Sequence, residues 1–147
     1  MMAVGQTKDA GWQIGVSKTL PHPIDAVWRL LVGTPELWLG PGATVPLVPG
    51  AEWRSDDGVT GELRSRHERD RVRLTWQPAA WNHDSTVQVA VSTAPRGTVL
   101  RFHQERLAGP DERAAQRAHW QGAMARVERA LATAGGDPKG APLPSDR

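Results

Sequence analysis

A change of hydrophobic period near residue 50 constrains the fold of this chain more than any other sequence feature. From there to residue 105, apolar side chains alternate with polar ones, as is typical of strands with one buried face. Turn signals such as "DDG" and "APRG" separate these segments and favour an antiparallel meander. The predicted inward positions are Val59, Leu63 and His67, then Val72, Leu74 and Trp76, then Val87, Val89 and Val91, and finally Leu100 and Phe102.

The segments on both sides of the meander predict one more strand and three helices. The strand "WQIGVSK" comes first, and two short helices follow it in "PIDAVWRLLVG" and "TPELW". Pro23 and Gly33 mark the limits of the first helix, and Thr34 is the predicted N-cap of the second. After the meander, "GPDER" opens a long helix with the apolar line Trp120, Met124, Val127 and Leu131.

Chain length and composition predict a single domain. The 147 residues, 39% of them hydrophobic, are enough for one core and too few for two. We place the domain at residues 10–133. The segment 134–147 is rich in Gly and Pro and has no apolar period, so it is predicted to be a disordered tail.

Several function classes lack the residues they need. The chain has no cysteine, and its five histidines show no metal-ligand spacing, so we expect no metal site and no cofactor. No catalytic motif is found, and "GPGATV" follows a helix instead of the strand that a dinucleotide fingerprint requires. A formal charge of +2 does not indicate nucleic-acid binding. Neither a membrane span nor a secretion signal is predicted, which favours a cytoplasmic protein.

The aromatic composition raises the main functional question. The chain has seven tryptophans, one phenylalanine and no tyrosine. An indole offers a large apolar surface with a single hydrogen-bond donor. That chemistry suits a packed core, and it equally suits a pocket for flat hydrophobic molecules, so the sequence leaves both interpretations open.

An arginine-rich segment lies in the meander. "RSRHERDRVR" at residues 64–73 contains five arginines, interrupted by Glu68 and Asp70. The simpler interpretation is a solvated hairpin, because charges of both signs alternate with apolar residues there. The alternative is a docking patch for an acidic partner, made of Arg64, Arg66, Arg69 and Arg71.

Four segments together carry a family resemblance: "PIDAVWRLL", "RLTWQPAAW", "GTVLRFHQERL" and "RAHWQGAMARV". In this order they resemble the bacterial proteins similar to the heat-shock protein 90 ATPase activator, within the START-like or Bet v-like (SRPBCC) superfamily. The resemblance spans about residues 12–132. It implies an α+β helix-grip fold, in which a curved antiparallel sheet of about six strands wraps around a long C-terminal helix, with two short helices after the first strand.

The resemblance also implies a cavity between the sheet and the last helix. Its walls would be apolar and rich in indole, with Trp81 in a connecting loop at the mouth. The expected ligand-binding residues are Trp53, Leu63, His67, Leu74, Trp76, Trp81, Val89, Phe102, Gln104, Trp120, Met124 and Val127.

Three functions fit such a protein, because the superfamily hosts many. The missing catalytic set favours the first, a carrier, sensor or sequestering protein for a hydrophobic or aromatic small molecule. The second is a cofactor that binds a chaperone, as the family name implies. The third is an enzyme similar to polyketide cyclases, for which His67 and Gln104 are the candidate residues. A monomer and a homodimer are both compatible with the sequence.

Overall fold

The computed structural model describes residues 6–7 and 11–135. Two helices lie between the second and third strands, and a third helix ends the described chain. The elements are β1 (Gln6–Thr7), β2 (Gly11–Leu20), α1 (Ile24–Gly33), α2 (Glu36–Leu39), β3 (Glu52–Arg54), β4 (Val59–His67), β5 (Arg71–Pro78), β6 (Ser85–Ala94), β7 (Gly97–Leu107) and α3 (Pro110–Gly135).

All strands belong to one antiparallel sheet with the order β1-β2-β7-β6-β5-β4-β3. The hairpins from β3 to β7 form the predicted meander, and β2 pairs with β7 to extend it. The predicted six strands correspond to β2–β7, and the two-residue β1 is an addition that the sequence pattern did not indicate. The helix-grip prediction is confirmed, since α3 packs against β2 and β7 while its Trp120 reaches Trp76 of β5.

The short helices begin beside prolines. Pro23 is the N-cap of α1 in an extended conformation, which a proline adopts easily, and its carbonyl oxygen accepts the first backbone hydrogen bonds of the helix, from Ala26 and Val27. Pro35 precedes Glu36 at the start of α2, so the predicted cap Thr34 lies one residue too early. Both helices turn their apolar side chains to the core, including Trp28 and Trp38.

The long helix α3 buries the predicted apolar stripe. Trp120, Met124, Val127 and Leu131 are all buried, and Ala123 lies between them in the same core. The helix continues to Gly135, two residues beyond the predicted domain end at 133. The rest of the predicted tail, residues 136–147, lies outside the described residues.

A β-bulge in β4 corrects the predicted orientation of His67. The register with β5 shifts between Leu63 and Ser65, so side chains beyond this point exchange faces. His67 is exposed instead of inward. Arg66, predicted to point outward, has a side chain only 11% exposed and donates a hydrogen bond to the Pro46 carbonyl oxygen.

Candidate functional site

A continuous cluster of aromatic rings fills the space between the sheet and α3. We call it the indole cluster: Trp38, Trp53, Trp76, Phe102, His119 and Trp120. Ring centroids are 5.6 Å apart for Trp53 and Trp76, and 5.4 Å apart for Trp76 and Trp120. Phe102 lies 5.0 Å from Trp120 and 6.3 Å from Trp38, which completes the line. The cluster therefore joins β3, β5, β7, α2 and α3.

A buried polar network lies beside the cluster and holds Trp120. Oε1 of Gln104 accepts hydrogen bonds from Trp120 Nε1 and from Gln116 Nε2, both at 2.9 Å. Nε2 of Gln104 donates to Ser85 Oγ at 2.8 Å, and Ser85 Oγ donates to the carbonyl oxygen of Trp76 at 2.7 Å. Gln104 is fully buried, and these bonds pair both of its amide atoms. The arrangement positions the Trp120 indole and the backbone of Trp76, and it leaves Gln104 little capacity for a ligand.

His119 adds a titratable group to the cluster. Its ring centroid is 5.1 Å from that of Trp76 and 4.5 Å from that of Trp120. Nε2 lies 3.2 Å from the carbonyl oxygen of Trp38, so we assign the ring proton to Nε2. Burial lowers the pKa of His119, which keeps the ring neutral at pH 7. Among the described residues Nδ1 has no hydrogen-bond partner, so it remains an acceptor.

An open groove lies next to the cluster. This outer groove has a volume of ≈ 760 Å³ and is lined by Gly42, Thr44, Glu52, Trp53, Arg54, Thr60, Gly61 and Glu62. Trp53 is the residue that belongs both to this lining and to the indole cluster. Gly61 makes the arrangement possible: a Cβ at this position would overlap the Thr75 carbonyl oxygen and Trp53 Nε1. The interior itself is closed, with Trp76 and Trp120 almost completely buried.

The structure brings ten of the twelve predicted ligand-binding residues into one buried interior. The ten are Trp53, Leu63, Leu74, Trp76, Val89, Phe102, Gln104, Trp120, Met124 and Val127. His67 is not among them, because the bulge leaves it on the surface. The cyclase candidates His67 and Gln104 are thus separated, one exposed and one buried.

Two members of the cluster were missed by the sequence analysis. Trp38 lies in a helix of only four residues, too short for a periodic pattern to show which face is buried. His119 is absent from the predicted ligand-binding residues. Its position four residues before the buried Ala123 was a usable signal, because side chains at that spacing share a helix face.

Trp81 lies in the loop between β5 and β6 and is half-buried. Its ring stacks on His83 at 5.0 Å between centroids, with an interplanar angle of 15°. His83 in turn faces Glu112 in the first turn of α3, with Nε2 at 3.0 Å from both carboxylate oxygens. The position of Trp81 is consequently tied to the start of α3. That it closes the mouth of a cavity stays a prediction.

The predicted arginine patch is largely neutralised by nearby carboxylates. Arg64 pairs with Glu62 at 3.1 Å, Arg71 with Asp70 at 3.1 Å and Arg69 with Asp25 at 3.6 Å. Arg66 pairs with Glu68, whose Oε1 also accepts a hydrogen bond from Trp28 Nε1. Such ion pairs are typical of a solvated hairpin. Docking of an acidic partner on these arginines stays a prediction.

Within residues 6–7 and 11–135, no group of three His, Asp or Glu side chains is arranged to hold a metal ion. No helix in the same part of the chain combines the length and the apolar character needed to cross a membrane.

The fold defines a helix-grip protein of the START-like or Bet v-like superfamily. Within it, the chain belongs to the family described as "Activator of Hsp90 ATPase homolog 1-like protein", whose model matches residues 21–132. No curated protein sequence matches the chain.

Solved structures agree on the fold. DynU16, a protein of the dynemicin biosynthetic locus, is similar with a TM-score of 0.71 and 23% identity over 82% of this chain, which spans about half (47%) of DynU16. MLL2253 from Mesorhizobium loti gives a TM-score of 0.69 and 24% identity, covering 82% of this chain and 97% of that one. CalU16 from Micromonospora echinospora gives a TM-score of 0.73 and 17% identity, covering 85% of this chain and 80% of that one. At these identities the likeness shows the fold alone.

Proposed function

We propose that the protein binds a flat hydrophobic or aromatic small molecule between the sheet and α3, against the indole cluster. The observation that carries this proposal is the unbroken line of ring contacts from Trp53, at the outer groove, to Trp76 and Trp120 in the interior. An indole face attracts flat apolar surfaces and other aromatic rings. The line gives such a molecule a continuous set of favourable contacts from the surface inward.

The expected affinity is moderate. Burying about 400 Å² of apolar ligand surface contributes about 10 kcal/mol by transfer from water. Association and the ordering of the ligand and side chains offset much of this gain, which leaves a Kd on the order of micromolar. An affinity in this range suits a carrier or a sensor.

Binding requires one ring of the cluster to move, because the interior is closed. Trp53 is the ring that meets this requirement with least disturbance, since it is the member of the cluster that also lines the outer groove. Its Nε1 donates a 2.9 Å hydrogen bond to the Thr75 carbonyl oxygen, which is the main polar contact that its rotation would break. We therefore assign Trp53 as the side chain that opens the interior to a ligand.

The test is a titration of intrinsic tryptophan fluorescence with fatty acids, sterols, flavonoids and aromatic polyketides. One similar structure comes from a biosynthetic locus, which is a reason to include natural products in the panel. Saturable quenching by a flat aromatic class supports the proposal. The affinity should fall at least about tenfold in Trp120→Leu and stay unchanged in Trp12→Phe. Trp12 is a matched control because it lies half-buried on β2, outside the indole cluster. No response to any compound overturns it.

A further inference from the structure

We propose that the ligand is a neutral planar aromatic ketone whose carbonyl oxygen accepts a hydrogen bond from Trp76 Nε1. This inference rests on the proposed function and names the polar group that the indole cluster recognises. Trp76 Nε1 is buried and has no hydrogen-bond partner, and it is the one buried side-chain nitrogen or oxygen in that state within residues 11–134.

The other buried tryptophans show how unusual this is. Trp38 donates to the Leu31 carbonyl oxygen and Trp53 to the Thr75 carbonyl oxygen, both at 2.9 Å. Gln104 accepts from Trp120 as described, and Glu68 accepts from Trp28 at 3.1 Å. Four of five buried indoles are therefore paired. Leaving the fifth unpaired costs about 1–3 kcal/mol, and an incoming acceptor recovers that cost.

The position of this donor points to a ligand. Trp76 lies in the middle of the cluster, with Trp53 on one side and Trp120 and His119 on the other. A molecule that enters from the outer groove and displaces the Trp53 ring then meets Trp76 next. A planar ring with an exocyclic oxygen matches two features of the site, its apolar ring faces and the unpaired donor of Trp76.

Charge favours a ketone over a carboxylate. No arginine or lysine belongs to the indole cluster, and its titratable member, His119, is neutral because burial lowers its pKa. Asp57 and Arg126 are the charged groups that act on His119. Arg126 donates through Nε to the Leu37 carbonyl oxygen, and Asp57 accepts from Ser55 Oγ. A buried carboxylate would find no dedicated cation there and would pay a large desolvation cost.

The test compares 9-fluorenone with fluorene, which differ by one carbonyl oxygen, using isothermal titration calorimetry. Wild-type protein is expected to bind the ketone about tenfold more tightly than the hydrocarbon, although the ketone is the less hydrophobic of the two. Trp76→Phe removes the donor and keeps a ring, so this variant should bind the ketone and the hydrocarbon with about equal affinity. Trp28→Phe is the control, because it removes a buried indole N–H outside the cluster and should keep the preference.

The outcomes separate the two proposals. Equal affinities for both compounds in wild-type protein, or a preference that survives in Trp76→Phe, overturn the ketone assignment and leave the aromatic site intact. Binding of neither compound overturns the site itself, and the ketone assignment with it. If Trp76→Phe does not fold, the NMR signal of the Trp76 indole N–H in wild-type protein tests the ketone assignment instead. It must move downfield with fluorenone and not with fluorene.

Discussion

Nε1 of Trp120 on α3 lies 2.9 Å from Oε1 of Gln104 on β7, and Gln116, one turn earlier on α3, donates to the same oxygen at 2.9 Å. Two residues of the long helix thus share one acceptor from the sheet. Because an amide oxygen has two lone pairs, Gln104 satisfies both donors at once. The contact fixes the position of α3 along the sheet and orients the Trp120 indole.

Gln104→Leu is expected to lower the free energy of unfolding by about 3 kcal/mol. Leucine has a similar size but leaves Trp120 Nε1 buried without an acceptor, and Gln116 and Ser85 also lose partners. Urea denaturation of the variant and the wild type measures the difference. The control is Gln88→Leu, which removes a half-buried glutamine that faces Arg73. A loss in Gln104→Leu no larger than in the control contradicts the proposed role of the network.

Gly61→Ala is expected to destabilise the protein by about 3 kcal/mol, because the added methyl group overlaps the Thr75 backbone and the Trp53 ring. Gly33→Ala is a suitable control, since a Cβ at the end of α1 meets no atom within 4 Å. Its effect should stay below about 1 kcal/mol. Thermal unfolding of both variants tests the prediction, and equal melting temperatures would show that Trp53 does not need Gly61.

The period-two pattern predicted the inner faces of the central strands well. Leu74 and Trp76 on β5 and Val89 on β6 are buried as expected, because strict alternation survives wherever the register is regular. His67 shows the limit of that reasoning. The bulge after Leu63 inserts a residue, and a single insertion exchanges the two faces without leaving a pattern that alternation can detect.

The polar features of the site were beyond sequence reasoning for a different reason. Whether an indole N–H is paired depends on which distant carbonyl packs against it. Trp53 finds Thr75, 22 residues away, whereas Trp76 finds no partner among the described residues. Nothing in the residues adjacent to Trp76 distinguishes it from Trp120. Its unpaired donor is a property of the packed interior and becomes visible only there.

The pKa of His83 should lie above the ordinary histidine value, and the pKa values of His119 and His103 should lie below it. The hydrogen bond to Glu112 raises the pKa of His83, whereas burial lowers the pKa of His119 and of His103. Their ring signals in a proton NMR titration should therefore show a midpoint above 6.5 for His83 and midpoints below it for the other two. A midpoint for His119 at or above that of His83 would mean that its ring is not enclosed by the cluster.

Glu112→Gln is expected to lower the free energy of unfolding at mildly acidic pH. Since the folded pKa of His83 is raised, its contribution is complete below the unfolded value of 6.5 and disappears as pH rises through the folded value. The free energy of unfolding of the wild type should thus exceed that of the variant most at about pH 6 and least at about pH 9. Glu128→Gln, which breaks the pair with Lys18, is the control and should show no such trend. A difference independent of pH over this range rules out a charged His83–Glu112 contact.

The most direct test of the aromatic site is a search for nuclear Overhauser contacts between unlabelled fluorene and isotope-labelled protein. Fluorene carries no polar group, so the result is independent of the ketone assignment. We predict contacts from the ligand to the Met124 methyl group and to the rings of Trp76 and Trp120, all of which lie inside the fold. Contacts confined to exposed groups such as the methyl groups of Leu47 and Val48 would contradict binding between the sheet and α3.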